Sequence, residues 1–288
     1  MSRPVWLLLA PVLFLILWSG GYVVAKVGLL HAAPMAILAI RYACVIVIMT
    51  VLFAIFRPPL PTKRIDWLHL AIVGILIQTV YFGLTYLAFV NGVAAGTAAL
   101  MMILQPILVA LIAPKWSGER IGWRQWGGLL IALAGTTAVI ASRLDIGPPP
   151  VLGFVFVLFG LAGITGATLW EKRFGLSHHP ITANLIGYAA GLICLLPFLY
   201  LEDAQPILWD WEFFAVMVYL VIGNSVIAVG LLLAMIRAGE VARVSTLLFL
   251  VPPGAALAAW LVLDEAMPLI AWIGMAIAGA GVLIATRK

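Results

Sequence analysis

The chain has 288 residues, of which 65% are hydrophobic and only 9% charged, with a mean hydropathy of +1.19. No fold with a water-facing surface hides that much apolar material, so a soluble globular or disordered protein is excluded and an integral membrane protein is indicated. The formal net charge of +5 would suit an acidic or nucleic-acid partner, but the basic residues sort by membrane side, which accounts for them without one.

Apolar stretches of about 18 to 25 residues follow one another, each long enough to cross about 30 Å of hydrocarbon as a helix. They read as ten spans: residues 5–27, 34–56, 66–90, 97–114, 122–142, 151–173, 180–201, 211–236, 243–262 and 268–286. The first follows Arg3 and has the length of a signal peptide, but "WSGGYVVAK" offers a poor small-residue cleavage site, so it is kept as a span. It carries Trp18, Ser19 and Tyr22, with Trp18 too deep for the interfacial belt. The second holds Arg41 and Cys44. With Lys26, Arg41 lies toward the outer face, where snorkelling is the leading reading and contact with a substrate carboxylate the lesser one.

The third span places Gln78 near the bilayer centre, followed at helical spacing by Tyr81, Phe82, Thr85 and Phe89. In the fourth, Pro106 has no N–H for the carbonyl of Met102. The fifth follows Glu119 in its loop, and the sixth ends near Trp170. Cys194 lies in the seventh, and like Cys44 reads as an inert small hydrophobe. The eighth carries Asn224 and Ser225 at mid-span. The ninth has Pro252, which cannot bond to Leu248, and ends near Trp260, a belt position like Trp170. Small-residue runs, "GVAAGTAA" at the fourth span and "GMAIAGAG" in the tenth, read as close helix packing. Between the spans, "FRPPLPTKR", "RLDIGPPP" and "HHPI" combine Pro with charge and mark solvated turns.

With the N-terminus in the cytoplasm, every Lys and Arg except Lys26, Arg41 and Arg143 falls on the cytoplasmic side. The opposite loops carry Glu202, Asp203, Asp210, Glu212, Asp264 and Glu265. That asymmetry fits an even number of spans with both termini cytoplasmic.

Sliding the sequence along itself by 146 positions aligns Lys26 with Lys172, Pro34 with Pro180, Tyr42 with Tyr188, Pro106 with Pro252, Glu119 with Glu265, Trp126 with Trp272, Gly128 with Gly274 and Gly135 with Gly281. Gln78 likewise meets Asn224, and Thr79 meets Ser225. The chain therefore divides into residues 1–142 and 151–288, each of five spans. Because five is odd, the second copy enters the membrane from the opposite side. The fold class expected is an all-α membrane protein of ten helices in two inverted five-helix repeats, a design that supports alternating access. Pro106 and Pro252 read either as hinges or as static kinks, and Glu119 and Glu265 as loop structure ahead of substrate contacts.

The stretches "LAFVNGVAAGTAALMMILQPILVALIAPKWSGERIGWRQWGGLLIALAGTTAVI" (87–140) and "LAMIRAGEVARVSTLLFLVPPGAALAAWLVLDEAMPLIAWIGMAIAGAGVLI" (233–284) each resemble the C-terminal part of an EamA-type module of the drug/metabolite transporter superfamily. "LWSGGYVVAKVG" (17–28) resembles that family's opening helix. Pro253 and Asp264 depart from the pattern at positions where glycine is commoner. The resemblance, which extends to the YddG-type aromatic amino acid exporters, implies a bacterial inner-membrane exporter of amino acids or similar small metabolites with a central cavity. The partners expected are a small-molecule substrate and the bilayer, with the protein a monomer and no nucleic acid, cofactor or metal involved.

Polar groups at mid-membrane depth are costly unless they face protein or a watery cavity. Trp18, Ser19, Tyr22, Gln78, Tyr81, Thr85, Asn224 and Ser225 are therefore the candidate substrate contacts, with interhelical hydrogen bonding the alternative for Gln78 and Asn224. All acidic residues and all four histidines lie in loops or at helix ends, so the expected passage is nearly uncharged. It would suit a neutral or zwitterionic solute with an aromatic or apolar side chain, moved without strict proton coupling. A membrane hydrolase lacks its nucleophile–base pair, paired aspartates or HExxH helix here, and a nucleotide-driven pump lacks its GxxxxGK[ST] loop. A drug carrier of the same fold and a non-transporting scaffold or lipid-handling protein are the remaining alternatives.

Overall fold

The computed structural model describes residues 6–102, 104–116, 122–144, 150–174, 178–203, 205–231, 235, 241–265 and 268–286, and among these all regular structure is helical. The helices are α1 (Trp6–Gly28), α2 (Pro34–Phe56), α3 (Arg64–Val90), α4 (Ala95–Met101), α5 (Leu104–Trp116), α6 (Trp123–Leu144), α7 (Val151–Phe174), α8 (Pro180–Leu201), α9 (Trp211–Leu231), α10 (Val241–Leu263) and α11 (Leu269–Thr286). Among the described residues, α1 from Leu9, α2, α3, α7 to Glu171, α8 and α9 are long and apolar enough to span a bilayer. Shorter apolar stretches, Pro253–Leu263 and Leu269–Gly281, lie in α10 and α11. Leu9, Val47, Ile55, Leu196 and Val262 are among many large apolar side chains left exposed, as a lipid-facing surface requires.

Helix starts are fixed by caps, two of them from distant parts of the chain and two local. Pro34 opens α2, and the Glu202 carboxylate accepts from the next two N–H groups, those of Met35 (3.1 Å to each oxygen) and Ala36 (3.3 Å). Pro180 opens α8, where His179 Nδ1 accepts from Ile181 N. Asp210 caps α9 through Phe213 N at 2.8 Å. Glu265 caps α4, accepting from Ala95 N (2.8 Å) and Gly96 N (3.2 Å), and its Oε1 also binds Lys26 Nζ at 2.8 Å. The structural reading of Glu265 therefore holds, whereas Glu119 lies outside the described residues.

Three features depart from a simple row of α-helices. The fourth stretch, expected to be one helix, is interrupted between α4 and α5 at the residue whose carbonyl Pro106 cannot serve. There Gln105 N donates to Met102 O over three residues instead of four. Helix α10, by contrast, runs unbroken past Pro252; the side chains of both prolines fall outside the described residues. The other two departures are π-helical segments, Ile75–Gly83 within α3 and Tyr219–Ala228 within α9, which overlap when the sequence is shifted by the 146-residue repeat. Wider turns leave carbonyls in need of donors, and these are supplied: Tyr42 Oη donates to Gln78 O at 2.6 Å, and Ser225 Oγ to Leu220 O at 2.9 Å.

Helices α6 and α11 touch through their backbones. A Cβ on Gly135 would fall against Ala278 N and 2.5 Å from Gly274 O. One on Gly281 would fall against Ala132 N and 2.5 Å from Gly128 O. Higher numbers on one helix meet lower numbers on the other, so the pair is antiparallel. The contacting positions are repeat mates of each other. Only glycine permits such an approach.

Candidate functional site

Two polar clusters lie where α1, α2, α3 and α9 converge at mid-helix depth. In the first, the hydroxyls of Tyr22 (α1) and Tyr81 (α3) share a 2.7 Å hydrogen bond. In the second, Arg41 of α2 reaches the π segment of α9, where Nε donates to Ser225 Oγ at 3.1 Å and Nη2 to Ser225 Oγ at 3.0 Å and to Asn224 Oδ1 at 3.1 Å. Asn224 in turn donates through Nδ2 to Leu17 O of α1 at 3.1 Å. The guanidinium sits 4.7 Å from the centre of the Phe82 ring, so α3 contributes a π face to the same cation.

This corrects the snorkelling assignment. Arg41 is only 2% exposed and points inward. It lies about 6 Å along the axis from the midpoint of α2 at 1.5 Å per residue. A cation at such depth costs about 2.5–3.5 kcal/mol on insertion scales, and among the described residues no carboxylate lies within ion-pair distance of it. Neutral dipoles and an aromatic face hold the charge. The expectation of an almost uncharged passage is corrected with it.

The remaining candidates divide. Gln78 is 7% exposed, and its Oε1 is buried with no hydrogen-bond partner. Ser19 donates to Val251 O at 3.2 Å and Thr85 to Tyr81 O at 2.7 Å, so both hydroxyls are committed to backbone carbonyls. Trp18 packs obliquely on Phe14 in an apolar cluster with Ala228 and Val251. Trp170 is half-buried near the end of α7, with Nε1 donating to His69 Nδ1 at 3.2 Å and its ring against Phe174.

Sequence reasoning placed Asn224 and Ser225 at the centre but missed the residue that joins them. The available signal was depth: Arg41 falls at the eighth position of α2, and its repeat mate is the uncharged Gly187.

A family model for EamA-like transporters matches residues 4–141 and again 151–287, nearly the whole chain in two copies. The chain belongs to the EamA-like transporter family. Members described as a "Probable amino-acid metabolite efflux pump" in Escherichia coli K12 and in Salmonella typhimurium are 25% and 26% identical to it, over 94% and 95% of this chain and 92% and 90% of theirs. An "Uncharacterized inner membrane transporter" of Escherichia coli K12 is 22% identical over 94% of this chain and 87% of its own. A solved crystal structure superposes with a TM-score of 0.67 at 18% identity, covering 99% of this chain and 98% of the other, which establishes a common fold. This EamA protein is thus a multi-pass membrane transporter with a two-repeat fold.

Proposed function

We propose that the protein exports small amino acids with aromatic or apolar side chains across a bacterial inner membrane. It does so by alternating access between two inverted five-helix halves, residues 1–142 and 151–288, with ten spans and both termini cytoplasmic. The observation that carries this reading is the buried polar meeting point of the halves: the Tyr22–Tyr81 pair beside Arg41, Asn224 and Ser225. Dispersed polar glue would spread such groups along many helix pairs, whereas these converge at one depth on four helices. Tyr22, Gln78, Tyr81, Asn224 and Ser225 line the substrate position, while Ser19, Thr85 and Trp18 shape the helices around it.

The antiparallel contact of α6 with its repeat mate α11 supports the inversion. The break between α4 and α5 supports a hinge at Pro106, with Pro252 its less pronounced mate. The relatives described as amino-acid metabolite efflux pumps favour the same substrate class. Among the described residues the central cluster holds no carboxylate to carry a proton relay, which favours exchange on the solute gradient.

Counterflow with each of the twenty amino acids, on purified protein in proteoliposomes, tests the assignment. Saturable exchange of phenylalanine, leucine or similar solutes without an imposed proton gradient is expected. Exchange no faster than in empty liposomes for all twenty would refute it.

A further inference from the structure

The transport reading leaves a question of charge. Arg41 is fully desolvated, yet its partners are two neutral side chains and a phenyl ring. A guanidinium carries five N–H donors in a fixed fork. The bonds formed here use Nε and Nη2, and Nη1 has no hydrogen-bond partner among the described residues. On α3, in the turns before and after Phe82, two more buried polar atoms make no hydrogen bond. Gln78 and Tyr86 stand four positions to either side of Phe82, the residue under the guanidinium, and both Gln78 Oε1 and Tyr86 Oη are buried without a hydrogen bond. Tyr86 Oη is directed at this same cation, closely enough to interact with it, and has no hydrogen bond elsewhere.

Buried polar groups are normally satisfied within the fold. One unsatisfied atom invites a local explanation. A cation held only by neutral groups, with two unsatisfied neutral atoms on the helix packed against it, has the donors and acceptors to take an anion carrying a second polar group. The two sides of the fork also do different work: Asn224 and Ser225 grip and aim it, as neutral residues that cannot neutralise it.

Resting on the amino acid transport reading, we propose that Arg41 binds the substrate's carboxylate through its free Nη1 edge, with Gln78 and Tyr86 completing the contact to the α-amino acid head group. The ligand class is a small monocarboxylate bearing a hydrogen-bonding group at the α position. Asn224 and Ser225 are positioning residues. The carboxylate supplies a counter-charge that no described residue provides, so the cluster is neutralised on loading. An aspartate at position 224 would give the guanidinium a charge-assisted partner, at the loss of the Nδ2 bond to Leu17 O; the asparagine keeps that bond and leaves the cation without a counter-charge.

The test uses the full chain in proteoliposomes, with L-phenylalanine counterflow as readout and three unlabelled competitors: L-phenylalanine, phenylalaninamide and 3-phenylpropionate. The amide, which lacks the carboxylate, is expected to compete about 30-fold or more weakly than L-phenylalanine, as loss of one partner of a buried charge pair implies, and 3-phenylpropionate is expected to retain measurable competition. Asn224→Asp, which installs a permanent internal counter-ion, is expected to reduce L-phenylalanine exchange about 30-fold or more. Arg41→Lys, which keeps the charge but loses the fork, is expected to fall between wild type and that variant.

Amide competition within threefold of L-phenylalanine, or Asn224→Asp exchanging with wild-type half-saturation, would overturn the assignment while leaving amino acid transport intact. Absence of exchange with phenylalanine and every other amino acid would overturn both. Should Asn224→Asp fail to fold, the competition series on the unaltered protein decides.

Discussion

Glu265 closes the start of α4, and removing it has a magnitude that follows from its contacts. Its carboxylate side chain, 9% exposed, accepts from Ala95 N and Gly96 N and binds Lys26 Nζ. Every residue from Ala95 to Met101 is buried, so water cannot take over the freed N–H groups. A lost cap costs about 1 kcal/mol and a lost anion at a helix start about 0.5–1 kcal/mol. The pair with Lys26, itself 29% exposed, adds about 0.5 kcal/mol after screening. These contributions overlap because one carboxylate makes them all, so Glu265→Ala is expected to cost about 2 kcal/mol. That corresponds to a fall in Tm of about 4–8 °C for a chain of this size. Glu265→Gln keeps an acceptor oxygen and should cost about half as much, whereas Lys26→Met leaves both backbone bonds in place and should cost least. Thermal unfolding of the purified proteins in one detergent measures the series. A Lys26→Met protein as unstable as Glu265→Ala, or a Glu265→Ala protein with unchanged Tm, would refute the capping argument.

Gly135→Ala forces a methyl group into the backbone of α11 and should lower stability by about 2 kcal/mol or more, while Gly127→Ala, with nothing within 4 Å, should be neutral; both are read by the same thermal assay. Tyr22→Phe and Tyr81→Phe remove the same 2.7 Å bond, so the double variant should be no worse in amino acid half-saturation than the more affected single one, as a double-mutant cycle in counterflow would show. Pro106→Ala allows position 106 to donate to Met102 O and close the break between α4 and α5. Its turnover should fall about threefold or more with little change in half-saturation, and a full transport rate would remove the hinge from the mechanism.

Six of the spans and the two-copy repeat were legible because both follow from one-dimensional properties: apolar runs of bilayer length, and a fixed offset that keeps Pro, Trp and Glu in step. The break at Met102 was legible in kind, since Pro106 names the carbonyl it cannot serve. The different behaviour at Pro252 was not. No contact among the described residues accounts for the continuity of α10 there. The π segments escape a periodicity reading because nine or ten residues are too few to separate 3.6 from a wider turn; their trace in the sequence was the pairing of Gln78 with Asn224 and Thr79 with Ser225. Arg41 was misread for another reason. Whether a long cation turns toward the membrane surface or the core depends on what waits inside, and its partners lie 183 and 184 positions away. For the same reason the composition of the central cluster was named from its neutral members and its charge was overlooked.

The crossing of α6 and α11 also constrains movement. Where most helix pairs lock through interdigitated side chains, this one meets through bare peptide groups around Gly135 and Gly281. There are few knobs to lift out of holes when the crossing angle changes, yet any sliding along the axes would drive peptide into peptide. Such a joint turns more readily than it shears, which, under the alternating-access mechanism proposed above, suits α6 and α11 to the part of a fulcrum.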